Sequence, residues 1–215
     1  MLKLMLYTYP IQHSFLKRSF DIFFSLAILC IFSPVFLILS IGIKCSSPGP
    51  IFYTHIRTTR GGKKFKCLKF RTMYVNADKL LQKILSENQK LKKEWLIFYK
   101  LKKDPRVTPF GKFLRKTSLD ELPQFINVLK GDLSVVGPRP VIEEELIQYF
   151  GEKAKKILSI RPGVTGLWQV SGRNGITMQE RVLIEESYVE SHNFLKDLII
   201  ILKTIPAIFF SKGAY

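Results

Sequence analysis

Asp120 and Glu121 stand side by side in Lys116 to Pro140, KTSLDELPQFINVLKGDLSVVGPRP, which sets an acidic pair among basic residues and ends in Pro138-Arg139-Pro140. Successive residues on a helix point about 100° apart, so the two carboxylates meet one ligand differently and should have different roles. A carboxylate at a helix N-terminus sits where backbone N–H groups also favour an incoming phosphate. Nearby Arg115 and Lys116 would keep Asp120 ionised and hence nucleophilic. The plainer account is a capped helix, with Ser118 or Asp120 as N-cap and Glu121 completing a capping box three residues after Ser118.

Other residues nearby suit phosphate. Arg139 has a stiffened backbone between two prolines, so its planar guanidinium can be aimed with little entropy lost; taken alone, it reads first as a surface loop arginine. Lys69 and Arg71 in KFRTM, and Arg173 in SGRN, are further candidates for holding a diphosphate. Trp168 and Phe70 could stack on a base, although an aromatic among apolar neighbours usually belongs to the core. His13, His55 and His192 are isolated and form no metal or triad pattern.

These residues need elements to hold them. Ile51 to His55 and Phe65 to Phe70, around Arg60-Gly61-Gly62-Lys63, predict a basic β-hairpin. Ala77 to Tyr99 predicts a surface helix or helix pair, broken afterwards by Asp104-Pro105 and Pro109-Phe110-Gly111. A short helix should begin near Leu119 or Asp120, because Pro123 is tolerated only in a first turn, and run to Leu129 before Gly131. Ile142 to Phe150 and Met178 to His192 have helical spacing, whereas Arg161 to Asn174 reads as glycine-rich loop and short strand. The fold class is α+β, mostly helical.

Ile22 to Ile43 carries no charge and approaches the roughly 20 residues of a spanning helix. It is too long for a signal-peptide core and lacks a small-residue cleavage site. Lys17 and Arg18 precede it while Lys44, Arg57, Arg60, Lys63 and Lys64 follow, which conflicts with a single crossing. Pro34 has no N–H and kinks a helix, and the Ser33 hydroxyl can bond a carbonyl freed there. The run therefore reads either as a kinked spanning helix or as one that enters and leaves by the same leaflet. Phe194 to Phe210 is apolar but carries Lys196, Asp197, Lys203 and Pro206, which suits an interfacial helix.

The 215 residues include 34 Lys and Arg against 17 Asp and Glu, a formal net charge of +17, so the partner should be polyanionic. No nucleic-acid-binding motif occurs, and a nucleic-acid binder would need no apolar run. Cys30, Cys45 and Cys67 share no metal-ligand spacing, which fits a reducing compartment. A basic membrane scaffold without catalytic activity is the alternative to an enzyme.

As a set, KRSFD from Lys17, Ser33-Pro34, KFRTM from Lys69, LRKTSLDELPQ from Leu114, NVLKGDLSVVGPRP from Asn127 and RPGVTGLWQVSGRN from Arg161 resemble the bacterial sugar transferase family of monotopic phosphoglycosyl transferases. The segment between Met73 and Pro105 and the GAY ending are most similar to the exopolysaccharide-type hexose-1-phosphate transferases. The resemblance implies transfer of hexose-1-phosphate from a UDP-sugar to undecaprenyl phosphate with release of UMP, initiating exopolysaccharide, capsule or O-antigen repeat-unit synthesis. The sugar would be galactose first and glucose second, with an N-acetylhexosamine as the outlier. It implies Asp120 as nucleophile, Glu121 as its helper, and Mg²⁺ held by Asp120 and Glu121 with the diphosphate. Lys69, Arg115, Pro138, Arg139, Pro140 and Arg173 would bind substrate, and Ser33-Pro34 would be the break of a re-entrant membrane helix.

The implied organisation is a leader over 1–14, the re-entrant helix over 15–44 and a catalytic domain over 45–215. That domain would lie on the cytoplasmic face of the bacterial inner membrane, against membrane lipid, with a homodimer left open. The chain would be the short catalytic form of the family. It departs from the family's frequent Leu-Asp-x-Tyr-Tyr with Ile184-Glu185-Glu186-Ser187-Tyr188, so no role passes to Glu185 directly.

Overall fold

The computed structural model describes residues 15–98, 101, 103–172 and 176–209. The leader over 1–14 and Arg173 lie outside the described residues.

The apolar run forms α1 (Phe15–Ile31) and α2 (Ser33–Ser46), bent against each other by 61°. Pro34 cannot donate to the carbonyl of Cys30 four residues back, and that carbonyl instead accepts from the Ser33 hydroxyl at 2.8 Å. The bend thus occurs where the sequence places it, with the freed acceptor satisfied. Among the described residues no single helix is long and apolar enough to cross a membrane; α1 and α2 reach that length only together.

A β-hairpin follows as predicted, β1 (Phe52–Thr58) antiparallel to β2 (Lys64–Phe70). Tyr53 pairs with Lys69, His55 with Cys67 and Arg57 with Phe65, so these six side chains share one face. The predicted helix pair appears as α3 (Ala77–Glu87) and α4 (Gln89–Phe98).

The next stretch departs in part from expectation. Pro109-Phe110-Gly111 opens a helix, α5 (Pro109–Thr117), because Pro109 falls in the first turn and the Thr108 side chain accepts the Gly111 N–H. The helix expected from Leu119 is instead a 3₁₀ turn, Leu119–Glu121, followed by α6 (Gln124–Lys130), which stops at left-handed Gly131. Pro123 has no N–H for the Leu119 carbonyl, so regular i to i+4 bonding starts only beyond it. The Ser118–Glu121 capping box is also absent: Ser118 adopts φ 55° and closes the C-terminus of α5, its N–H on the Arg115 carbonyl. A capping box instead joins Thr177 to Glu180.

The remainder is β3 (Ser134–Val136), α7 (Glu143–Glu145) running into a π turn (Leu146–Phe150), α8 (Lys153–Ile157), β4 (Gly163–Thr165), α9 (Leu167–Val170), α10 (Met178–Ser191) and α11 (Phe194–Phe209). β3 and β4 pair in parallel. The central core gathers Phe65 and Cys67 of β2, Val128, Leu133, Val135, Val136, Tyr188 and Ile200. Phe70 is buried against Leu39, Ile43 and Leu114, which confirms its core reading. Mostly helical α+β describes the fold.

Both ends of the bent pair are fastened to this body. Arg18 donates to the Val128 and Leu129 carbonyls at the end of α6, and Asp21, only 1% exposed, accepts from Ser134 Oγ and Val135 N, each at 3.0 Å. Lys17 lies 2.6 Å from Asp197 of α11, which also accepts from the Tyr188 hydroxyl at 2.6 Å. At the far end Arg71 donates to the carbonyls of Ser47 and Pro48, so it caps α2 and is not free to hold a diphosphate. Gly42 of α2 lets Phe110 of α5 approach to a distance that a Cβ would forbid, 2.5 Å from the ring.

Asp21→Ala would leave the buried Ser134 hydroxyl and Val135 N–H without their acceptor. The expected loss is about 3 kcal/mol, with Asp21→Asn milder because it keeps an oxygen. Thermal unfolding in detergent checks this, and an unchanged alanine variant would refute the anchoring role.

Candidate active site

The structure brings Lys69, Arg115, Asp120 and Glu121 together from three elements. Asn127 of α6 sets the register between them: its amide donates to the Lys66 carbonyl and its oxygen accepts the Leu68 N–H, both at 2.9 Å. That clamp lays β2 beside the turn carrying the two carboxylates. Lys69 Nζ then lies 2.7 Å from Glu121 Oε1 and 3.8 Å from Asp120 Oδ2. Arg115, in the last turn of α5, is oriented by a 2.9 Å bond from Nε to Thr72 Oγ1 and acts electrostatically on Asp120. The left-handed Ser118 between them folds the turn back, in a backbone region costly for a residue other than glycine.

Asp120 is 8% exposed, and burial pushes its carboxyl up to about 6, with Glu121 adding to the rise while Lys69 and Arg115 oppose it. This corrects the expectation that Arg115 and Lys116 simply hold it ionised: desolvation outweighs the cations, and Lys116 is exposed. Asp120 is still mostly a carboxylate at neutral pH, and a basic one. It also lies in the 3₁₀ turn and not at the N-terminus of an α-helix, so the activating influence is side-chain charge and burial.

Arg139 reaches the same region from another direction. Gly163 donates to the Pro138 carbonyl at 2.8 Å, and a Cβ on Gly163 would fall 2.1 Å from Gly137 N, so only glycine allows β4 this close. The Arg139 N–H donates to Glu185 Oε1 at 3.0 Å. Pro138 is buried, while Arg139 and Pro140 are half-buried. The Arg139 guanidinium lies 5.3 Å from the Trp168 ring centre and within electrostatic reach of Arg57, which in turn senses Glu121. Trp168 is therefore a half-buried platform under an arginine and not a simple core residue.

Two participants carry no candidate role from sequence: Arg181, and Arg57, which reads there only as a membrane-flanking charge. Glu185 stands in the sequence only as a departure from the family pattern. Arg181 and Glu185 are buried on α10 one turn apart, with Tyr188 a further turn on. Their signal is a polar stripe at helical spacing, which hydrophobic periodicity does not register.

No three His, Cys, Asp or Glu side chains converge on a metal position among the described residues. The Asp120 and Glu121 carboxylates alone could hold a divalent ion only with oxygens from a bound phosphate, which is the habit of Mg²⁺. The donor set fits on that condition.

A family profile described as bacterial sugar transferase matches residues 12–211. The chain is 48% identical to the exopolysaccharide production protein ExoY of Sinorhizobium fredii, across 93% of this chain and 88% of that protein. It is 45% identical to the undecaprenyl-phosphate galactose phosphotransferase of Salmonella typhimurium, across 94% of this chain and 42% of that longer protein. It is 37% identical to the UDP-glucose:undecaprenyl-phosphate glucose-1-phosphate transferase of Escherichia coli, across 98% of this chain and 44% of that one.

The Asp120 carboxyl should titrate near 6 in ¹³C carboxylate spectra, neutral below and charged above. Lys69→Met should move the midpoint up, by removing a charge that favours the anion, and Glu121→Gln should move it down. An ordinary aspartate midpoint would refute the desolvated site.

Proposed function

The chain belongs to the bacterial sugar transferase family, and from that premise we propose that it transfers hexose-1-phosphate from a UDP-sugar to undecaprenyl phosphate in the first step of exopolysaccharide assembly. The observation that carries this reading is a buried, basic carboxylate at Asp120 sharing Lys69 with Glu121, next to Arg115 and tied to the body that holds the apolar helix pair.

Asp120 attacks the sugar-bearing phosphorus of the donor. The bond from that phosphorus to the bridging oxygen breaks, an aspartyl phosphosugar forms and UMP leaves with the bridging oxygen. An oxygen of the lipid phosphate then attacks the same phosphorus and frees Asp120, giving the lipid diphosphate sugar. Lys69, Arg115 and Arg139 offset negative charge around the reacting phosphate. Glu121 holds Lys69 in place and assists as base. Asp120 and Glu121 would hold Mg²⁺ with the diphosphate, and the ion would supply further charge neutralisation when bound. Galactose is the first candidate for the sugar and glucose the second, in keeping with the names of the relatives.

The anchoring contacts support a re-entrant seat in the membrane, which we assign to its cytoplasmic face. Arg18 and Asp21 fasten one end of the bent pair, and Ser47 and Pro48 the other, to a single body. A body on one side of a bilayer cannot hold both ends of a single crossing. Between those ends Phe23, Ile31, Leu37, Ile38 and Ile41 face outward, as do Leu195, Leu202 and Ile205 of α11. An apolar surface of this extent supports a membrane seat, which would bring the site to the depth of a lipid-linked phosphate.

Purified protein given UDP-galactose, Mg²⁺ and undecaprenyl phosphate is expected to release UMP, and Asp120→Asn should be slower by about three orders of magnitude or more. Equal release by both would remove Asp120 from the mechanism. Silence with UDP-galactose and turnover with UDP-glucose or a UDP-N-acetylhexosamine would correct the sugar, and silence with every donor would overturn the assignment.

A further inference from the structure

Arg181 of α10 is 5% exposed, yet its Nε and Nη2 have no hydrogen-bond partner. Its nearest anions stand just beyond hydrogen-bond range: Glu145 Oε2 at 3.7 Å from Nη1 and Glu185 Oε1 at 3.9 Å from Nε. The guanidinium lies 4.8 Å from the centre of the Trp168 ring, the same ring that carries Arg139, and the indole N–H of Trp168 is likewise buried without a partner. Arg57, 3.9 Å from Glu145, completes a group of three guanidinium ions facing two carboxylates.

Buried donors are ordinarily satisfied, because leaving one unpaired costs on the order of 1–3 kcal/mol. Here several unpaired donors collect at one ring, in a cluster where cation repels cation. Burial and the neighbouring Arg139 hold the Arg181 guanidinium down to about 10. Such a cluster gains from an added anion with several acceptor oxygens, and a guanidinium fork matches a phosphate. Glu185 contributes from beneath: one oxygen fixes the Arg139 N–H, and the carboxylate lies alongside Arg181 on the same helix.

We propose that Arg181 is a phosphate-binding residue, closing with Arg139 over the Trp168 ring to hold a phosphoryl group of the donor diphosphate or of the lipid monophosphate, and that Glu185 positions both arginines. This rests on the transferase reading for its two substrates, but anion binding at Trp168 is measurable without turnover.

The chain has two tryptophans, so Trp95→Phe leaves Trp168 as the sole fluorescent reporter. UDP, inorganic pyrophosphate and undecaprenyl phosphate in detergent are the probes. In the Trp95→Phe background at least one should change Trp168 emission. Arg181→Gln should weaken its half-saturation about ten-fold to a hundred-fold, as expected for a lost charge-assisted bond. Arg181→Lys keeps the charge without the fork and guards against misfolding of the glutamine variant; it should lie between. Glu185→Asp should retain the response and Glu185→Gln weaken it. A response to UDP and pyrophosphate assigns the group to the donor, and a response to the lipid alone assigns it to the acceptor. Unchanged half-saturation in folded Arg181 variants, or no emission response to any probe, would overturn the proposal. Binding intact in a protein that releases no UMP would instead count against the transferase reading alone.

Discussion

The hydrogen bond that Pro34 cannot make governs the course of the whole chain. An apolar segment of this length would be expected to continue straight, but without the donor at position 34 the helix bends by 61° and the Ser33 hydroxyl takes over the stranded Cys30 carbonyl. The bend lets both ends return to one body. Arg18 and Asp21 can then reach α6 and β3 while Ser47 and Pro48 meet Arg71. Charges flanking the apolar run thus serve as fastenings of a hairpin as well as markers of side. Phe110 packs into the space at Gly42, which couples this hairpin to α5, the helix that carries Arg115.

The same economy of polar groups operates around the carboxylates. A single side chain, Asn127, occupies backbone groups of β2 and so fixes Lys69 relative to the Leu119–Glu121 turn. Burial makes Asp120 a stronger base than a surface aspartate, and the shared lysine limits how far that goes. The proposed phosphate binding would have Lys69 exchange one anionic partner for another. On the other side of the site, Arg57, Arg139 and Arg181 outnumber the carboxylates they face, so the protein carries there an excess of positive charge that a substrate is suited to neutralise.

Sequence alone fixed those features whose cause is local. Pro34 dictates a bend because it lacks a donor; alternation and the Gly61-Gly62 turn dictate the hairpin; Gly131 ends α6 because its backbone must turn left-handed. The pairing of Asp120 with Glu121 and the Pro138–Pro140 frame of Arg139 were likewise plain, as was the family. Where two local rules compete, the residues alone do not decide between them. Pro109 could end a helix or begin one, and only the Thr108 cap decides for beginning; Ser118 could cap the next helix, but its left-handed backbone closes the previous one.

Tertiary structure alone decided which charges meet. Arg71 and Lys69 are two residues apart in one motif, yet one caps α2 and the other joins the carboxylates, because the strand ends between them and the chain turns. The basicity of Asp120 depends on how much water is excluded by elements far away in sequence. Arg181 and Glu185 gain their setting only when α10 packs against α9 and the Arg139 loop. Local propensities follow from bonds within a few residues; solvent exclusion and the strength of charge interactions follow from the whole packed body, which is why the residue types were legible and their chemistry was not.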